Sequence, residues 1–330
     1  MIAIGGLSIV ALVLLLLIDP EWNHSELAGR FVILTALLNW PHFMATYALM
    51  YRSPDTVRRY PWASKWMPAL LVIVSVAAVV LEIAFGAPAA MRLLTVVAGA
   101  YLAWHYTGQA WGMMASFSFL GGDGLQGAER TWIRSGLRLM LAWHVIWYLH
   151  NFVFSGAPQR VTAAFAQFYD GSTFALIPLG AILGIVGLVR YRNRIGRTPP
   201  PHVLIPFAAI VLWYVSMAIN PFAIFWVQIG HAMQYLLFPT RVEINRGALE
   251  GRSPMRSVVL FVVLILGLSF LVFEVSPRLL AWAAPVGSLA AIKLAIGNFI
   301  NIHHYFADGV LWKISNPAVR KELFAHLEQG

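Results

Sequence analysis

The sequence has no cysteine in its 330 residues. That absence excludes a disulfide, a thiolate nucleophile, an iron–sulfur ligand and a zinc–thiolate site, so any metal must be held by nitrogen and oxygen. Charge is scarce as well: 11% of the residues are Asp, Glu, Lys or Arg, against about 25% in an ordinary soluble domain. With 59% hydrophobic residues, the chain has too little polar surface to cover a water-soluble globule. Windows of about 20 apolar residues recur instead, the length a helix needs to cross a bilayer. Acidic residues are the rarer charged type, 14 against 23 basic, for a net charge of +9. Such an excess can signal nucleic-acid binding, but the basic residues lie in short stretches between apolar runs, where they report membrane orientation. Membrane lipids are the expected partners, and no nucleic acid is.

These features predict an all-α fold, a polytopic membrane bundle of about ten transmembrane helices forming one integral domain over residues 1–330. The spans fall near 2–18, 30–51, 67–88, 91–118, 131–154, 172–190, 203–220, 223–240, 257–276 and 281–312. Basic clusters occur on alternate sides: Arg52, Arg58, Arg59 and Lys65; Arg130 and Arg134; Arg190, Arg192, Arg194 and Arg197; Arg241, Arg246, Arg252 and Arg256; and Lys313, Arg320 and Lys321. The opposite loops carry isolated basic residues, the first of them with Asp19, Glu21 and Glu26. Both termini are therefore expected in the cytoplasm.

The opening run has no basic residue ahead of it and reads as a retained first helix, not a signal peptide. Pro199–Pro201 and Asn220–Pro221 break the chain between spans, and 158–170 and 316–328 are amphipathic enough to lie at the interface. Gly122, Gly124 and Gly127 match a dinucleotide-loop spacing, but such a loop needs a strand before it and a helix after it. Asn23–Ser25 is a formal glycosylation sequon of little weight.

Ionisable residues inside spans are costly and usually serve a function. Histidine recurs there: His42, His105, His144, His231 and the pair His303–His304, on five different spans. At about 1.5 Å rise per residue, His42, His231 and His304 lie roughly 14 to 15 Å from the basic end of their spans, and His105 and His144 roughly 20 Å. A single such histidine is most often a hydrogen-bond partner between helices. Six at similar depth form a layer, the arrangement from which metal sites in bundles are built, and all six are candidate metal ligands.

Three polar residues accompany them and are the candidate catalytic residues: Gln109 four after His105, Gln234 three after His231, and Asp308 four after His304. Each shares a helical face with its imidazole. Asp308 can orient a ligand or be one, and a carboxylate beside neutral imidazoles suits iron or manganese. Glu82 and Lys293 are expected to form a buried ion pair.

Pro41–His42, the aromatic-flanked His105 and the late His231 resemble the intramembrane histidines of the Brp/Blh family of bacterial membrane β-carotene dioxygenases. The resemblance implies non-haem iron held by histidines, an apolar lipid, isoprenoid or carotenoid-like substrate, and a multi-pass protein of the bacterial inner membrane. The second histidine that the family carries near His231 is absent, so His303 or His304 would supply the fourth ligand. His303–His304 also resembles half of a histidine box from membrane desaturases and hydroxylases.

The leading expectation is thus a metal-dependent oxygenase. The alternatives from other classes are a haem-binding membrane protein, a transporter or proton relay, and a scaffold without catalysis.

Overall fold

The computed structural model describes residues 5–18, 31–312 and 323. The acidic loop with Asp19, Glu21 and Glu26, the Asn23–Ser25 sequon, Lys313, Arg320, Lys321 and the 316–328 segment lie outside the described residues. Among the described residues all regular structure is helical: α1 Leu7–Ile18, α2 Trp40–Arg52, α3 Pro54–Arg59, α4 Met67–Phe85, α5 Ala89–Leu120, α6 Gly127–Tyr148, α7 Gln159–Ile195, α8 Pro201–Ile219, α9 Ala223–Leu249, α10 Pro254–Phe270, α11 Ser276–Trp282 and α12 Leu289–Leu311. Wider π-turns occupy Thr35–Asn39, Trp62–Trp66, Leu149–Val153 and Leu271–Val275.

The ends of the helices follow local chemistry. Proline opens α3, α8 and α10, where its missing N–H costs nothing. Gly86 and Gly196, both left-handed, close α4 and α7. The Asn220–Pro221 break is realised, with Asn220 extended and its Oδ1 accepting from the Phe222 N–H at 2.9 Å. The Gly122–Gly127 motif occupies the turn between α5 and α6 and follows a helix rather than a strand.

Five helical stretches are long and apolar enough to cross a membrane, and they mark this as a membrane protein: Phe31–Arg52, Trp62–Phe85, Gln159–Ile195, Pro201–Ile219 and Pro254–Trp282. Their outward side chains, such as Ile73, Phe174 and Val263, are strongly exposed, as a lipid-facing surface requires. Helices α5, α6, α9 and α12 exceed the needed length, but the polar residues they carry lower their hydropathy.

Two expectations are corrected. The short interfacial segment at 158–170 and the span at 172–190 are one 37-residue helix, α7, since no helix breaker separates them. The span at 223–240 continues to Leu249, which puts Arg241 and Arg246 on a helix and not in a loop.

The helices group into two compact units. One comprises residues up to Phe31 with Gly99–Gln234. Its core gathers Trp143, Trp147, Trp213, Tyr106 and Tyr214, all fully buried. The indole N–H groups are satisfied inside it: Trp143 donates to Thr173 Oγ1, Trp147 to the Met217 carbonyl and Trp213 to Ser8 Oγ. Glycines let α6 and α7 touch backbone to backbone. A Cβ on Gly136 would stand 2.4 Å from the Gly180 carbonyl oxygen, and one on Gly184 would strike the Phe207 ring of α8 at 1.9 Å.

The other unit comprises Val32–Ala98 with the chain from Tyr235 onward. Its two apolar clusters are built on Met67, Leu71, Met91 and Ile302, and on Phe43, Met44, Tyr235, Phe261 and Ile300. Arg52 pairs with Glu243. The expected Glu82–Lys293 pair is not formed. Lys293 reaches Glu274 at 3.3 Å, where Arg278 also binds. Glu274 thereby serves two cations, while Glu82 Oε2 is buried with no hydrogen-bond partner.

Candidate metal centre

In the first unit, α5 and α9 present His105 and His231 to each other. Both rings are buried, and their Nε2 atoms lie 3.0 Å apart. Such a contact has two chemical meanings. Either one ring donates its N–H to the lone pair of the other, or both lone pairs face one cation. Two imidazoles at about 2.0–2.1 Å from one ion, about 90–109° apart, stand about 2.8–3.4 Å from each other. The observed spacing fits that edge without rearrangement.

The register of this pair is set by amides. Gln109, one turn after His105, donates through Nε2 to the His231 carbonyl at 3.1 Å and to Gln234 Oε1 at 3.0 Å. Both glutamines thus join α5 to α9, a role that sequence spacing alone does not reveal. Tyr106 packs its ring 4.6 Å from that of His231 and 5.8 Å from that of His144.

In the second unit, α2 and α12 bring His42 and His304 together edge to face, with ring centroids 4.8 Å apart and both rings buried. His304 Nδ1 is hydrogen-bonded to Thr46 Oγ1 at 2.8 Å, and its Nε2 lies 3.2 Å from Asp308 Oδ2. Asp308 Oδ1 accepts from Thr46 Oγ1 and from the Tyr235 hydroxyl, each at 2.9 Å. Trp312 donates its indole N–H to the same Tyr235 hydroxyl at 3.1 Å. Asp308 is therefore held from two sides beside the imidazole, as the i,i+4 spacing predicts. Thr46 and the Tyr235 hydroxyl are the members that sequence reading missed. The available signal was that Thr46 follows His42 by four residues and so shares its face.

His144 and His303 are placed differently. His144 is buried with Nδ1 3.1 Å from the Tyr214 hydroxyl, and its Nε2 has no hydrogen-bond partner. His303 donates from Nε2 to the Ala63 carbonyl at 2.7 Å, which leaves Nδ1 to accept from the Tyr47 hydroxyl at 2.8 Å. Both of its nitrogens are engaged in joining α12 to neighbouring segments, which is the structural role of an interhelical histidine.

Four buried histidines, His105 and His231 in one unit and His42 and His304 in the other, could hold a metal ion. Their donor set is imidazole nitrogen, with one carboxylate beside His304. Neutral imidazole suits iron, zinc, copper and nickel, and an added carboxylate favours the harder metals. Compared with known proteins, the chain matches no family model, no curated protein and no solved structure.

Proposed function

We propose that this protein is a non-haem iron oxygenase of the bacterial inner membrane, multi-pass with both termini in the cytoplasm, acting on a lipid or isoprenoid of carotenoid type. The observation that carries the reading is the buried His105–His231 pair with its 3.0 Å Nε2 spacing. In this reading His105 and His231 supply one pair of ligands, and His42 and His304 the other. His144 and His303, bonded to tyrosines and a carbonyl, are left to packing.

Bound iron would supply a Lewis-acidic, redox-active centre for oxygen. The chain's own residues supply the rest. Gln109 and Gln234 keep α5 and α9 in register, Asp308 orients His304, and the rings of Tyr106 and Phe43 exclude water from the imidazoles. Oxidative cleavage of a carbon–carbon double bond places one atom of O2 on each new carbonyl, so the reaction balances without an outside reductant. The resemblance of Pro41–His42, His105 and His231 to the β-carotene dioxygenases points to the same substrate class.

The haem alternative fits this pair poorly. Two axial histidines on opposite sides of one iron stand about 4 Å apart at the usual nitrogen–metal length, well beyond 3.0 Å.

Elemental analysis and an absorption spectrum on detergent-purified wild type and on His105→Ala/His231→Ala test the proposal. Iron near one per chain without a Soret band, lost in the variant, is the expected result. A Soret band, or full oxygenase activity from metal-free protein, would overturn it.

A further inference from the structure

The basic end of α6 and α7 carries arginines of two kinds. Arg194 binds Glu129 through two nitrogens and Arg197 binds Asp123, which ties the end of α7 to the α5–α6 turn. Arg130, Arg134 and Arg190 are different: all are exposed, and none has a carboxylate within ion-pair distance. They lie instead over indole rings. The guanidinium carbons of Arg130 and Arg134 are 5.9 and 5.5 Å from the Trp111 centroid, and that of Arg190 is 5.9 Å from the Trp132 centroid.

Their depth identifies what they face. Counting about 1.5 Å per residue, Arg134 lies about 10 Å from the start of α6, Arg190 about 8 Å from the end of α7, and Trp111 about 14 Å from the end of α5. In a chain that crosses the bilayer, exposed side chains so close below the helix ends meet the headgroup layer, where tryptophan also concentrates. Three outward guanidiniums without a protein anion need counterions there, and the negative groups at that depth are lipid phosphates. The planar donor fork of arginine matches a phosphate, and stacking on an indole limits its motion before the phosphate arrives.

We infer that Arg130, Arg134 and Arg190, held over Trp111 and Trp132, form a binding site for the headgroup of an anionic phospholipid. The site is independent of the metal chemistry proposed above.

The test is native mass spectrometry of the detergent-purified full chain titrated with phosphatidylglycerol or phosphatidylcholine, for wild type and for Arg130→Gln/Arg134→Gln. Wild type is expected to retain several-fold more phosphatidylglycerol, and the variant to fall to the phosphatidylcholine level. Trp111→Leu, which keeps both charges, is expected to weaken retention about two- to fivefold, the size of one exposed cation–π contact. A large excess of inorganic phosphate should leave the lipid bound. Equal retention of the two lipids by wild type, an unchanged double variant, or complete displacement by phosphate would each overturn the assignment. If the double variant does not extract as a monodisperse protein, Trp111→Leu and Arg190→Gln carry the same test.

Discussion

Asp308 stands one helical turn beyond His304, with its Oδ2 3.2 Å from the imidazole Nε2 while Thr46 holds the other ring nitrogen at 2.8 Å. The ring is gripped at both ends by oxygens that are themselves hydrogen-bonded. Such an arrangement fixes ring orientation and tautomer, which a metal-binding histidine requires.

Replacing Asp308 with Asn keeps the shape and removes the charge. Loss of an outer partner of this kind costs about 10- to 100-fold in metal affinity. Competition with a chelator, read as retained iron per chain, should show that loss in Asp308→Asn. Unchanged retention would mean that the carboxylate has no bearing on the metal.

Thr46 and Tyr235 both donate to Asp308 Oδ1, so their effects should not add. Thr46→Val removes a buried donor and is expected to lower stability by about 1–3 kcal/mol. Combined with Tyr235→Phe, the total should depart from the sum of the single changes by about 0.5–3 kcal/mol. Thermal unfolding of the three variants in one detergent measures this, and strict additivity would disprove a shared network.

His303 provides a contrast. His303→Phe breaks the bonds to the Ala63 carbonyl and the Tyr47 hydroxyl and should destabilise by about 1–3 kcal/mol. The iron content of the folded fraction should stay at the wild-type level. A drop like that of His105→Ala would return His303 to the ligand set.

At Gly184 an added methyl group has no room, because Phe207 already occupies the position of its Cβ. Gly184→Ala is expected to cost about 1–3 kcal/mol through overpacking, whereas Gly171→Ala, where a Cβ meets nothing within 4 Å, should be close to neutral. Similar melting points for the two variants would contradict the close α7–α8 contact.

The helical class and the membrane character were legible because apolar length and scarce charge leave few other folds. The helices bearing His105, His144, His231 and His303–His304 were readable as helices too, but their polar content keeps them off the plain hydropathy criterion that Phe31–Arg52, with His42, still meets. The layer of histidines singled out the buried imidazoles, and the i,i+4 rule placed Asp308 on His304. Spacing could not tell His303 from His304, because adjacent residues point to different faces and only the packed neighbours, Ala63 and Tyr47 against Thr46 and His42, assign them. Partner choice across helices was equally hidden, as the exchange of Glu82 for Glu274 at Lys293 shows.

The bond between Trp213 and Ser8 spans 205 positions of chain. At about 5–20 residues per second of synthesis, Ser8 emerges some tens of seconds before the indole that will bind it. The entire segment 32–98, which belongs to the other unit, is made in that interval. During translation, then, α1 must wait in the membrane as an unclaimed helix, and a truncated chain ending before α8 offers it no partner in its own unit.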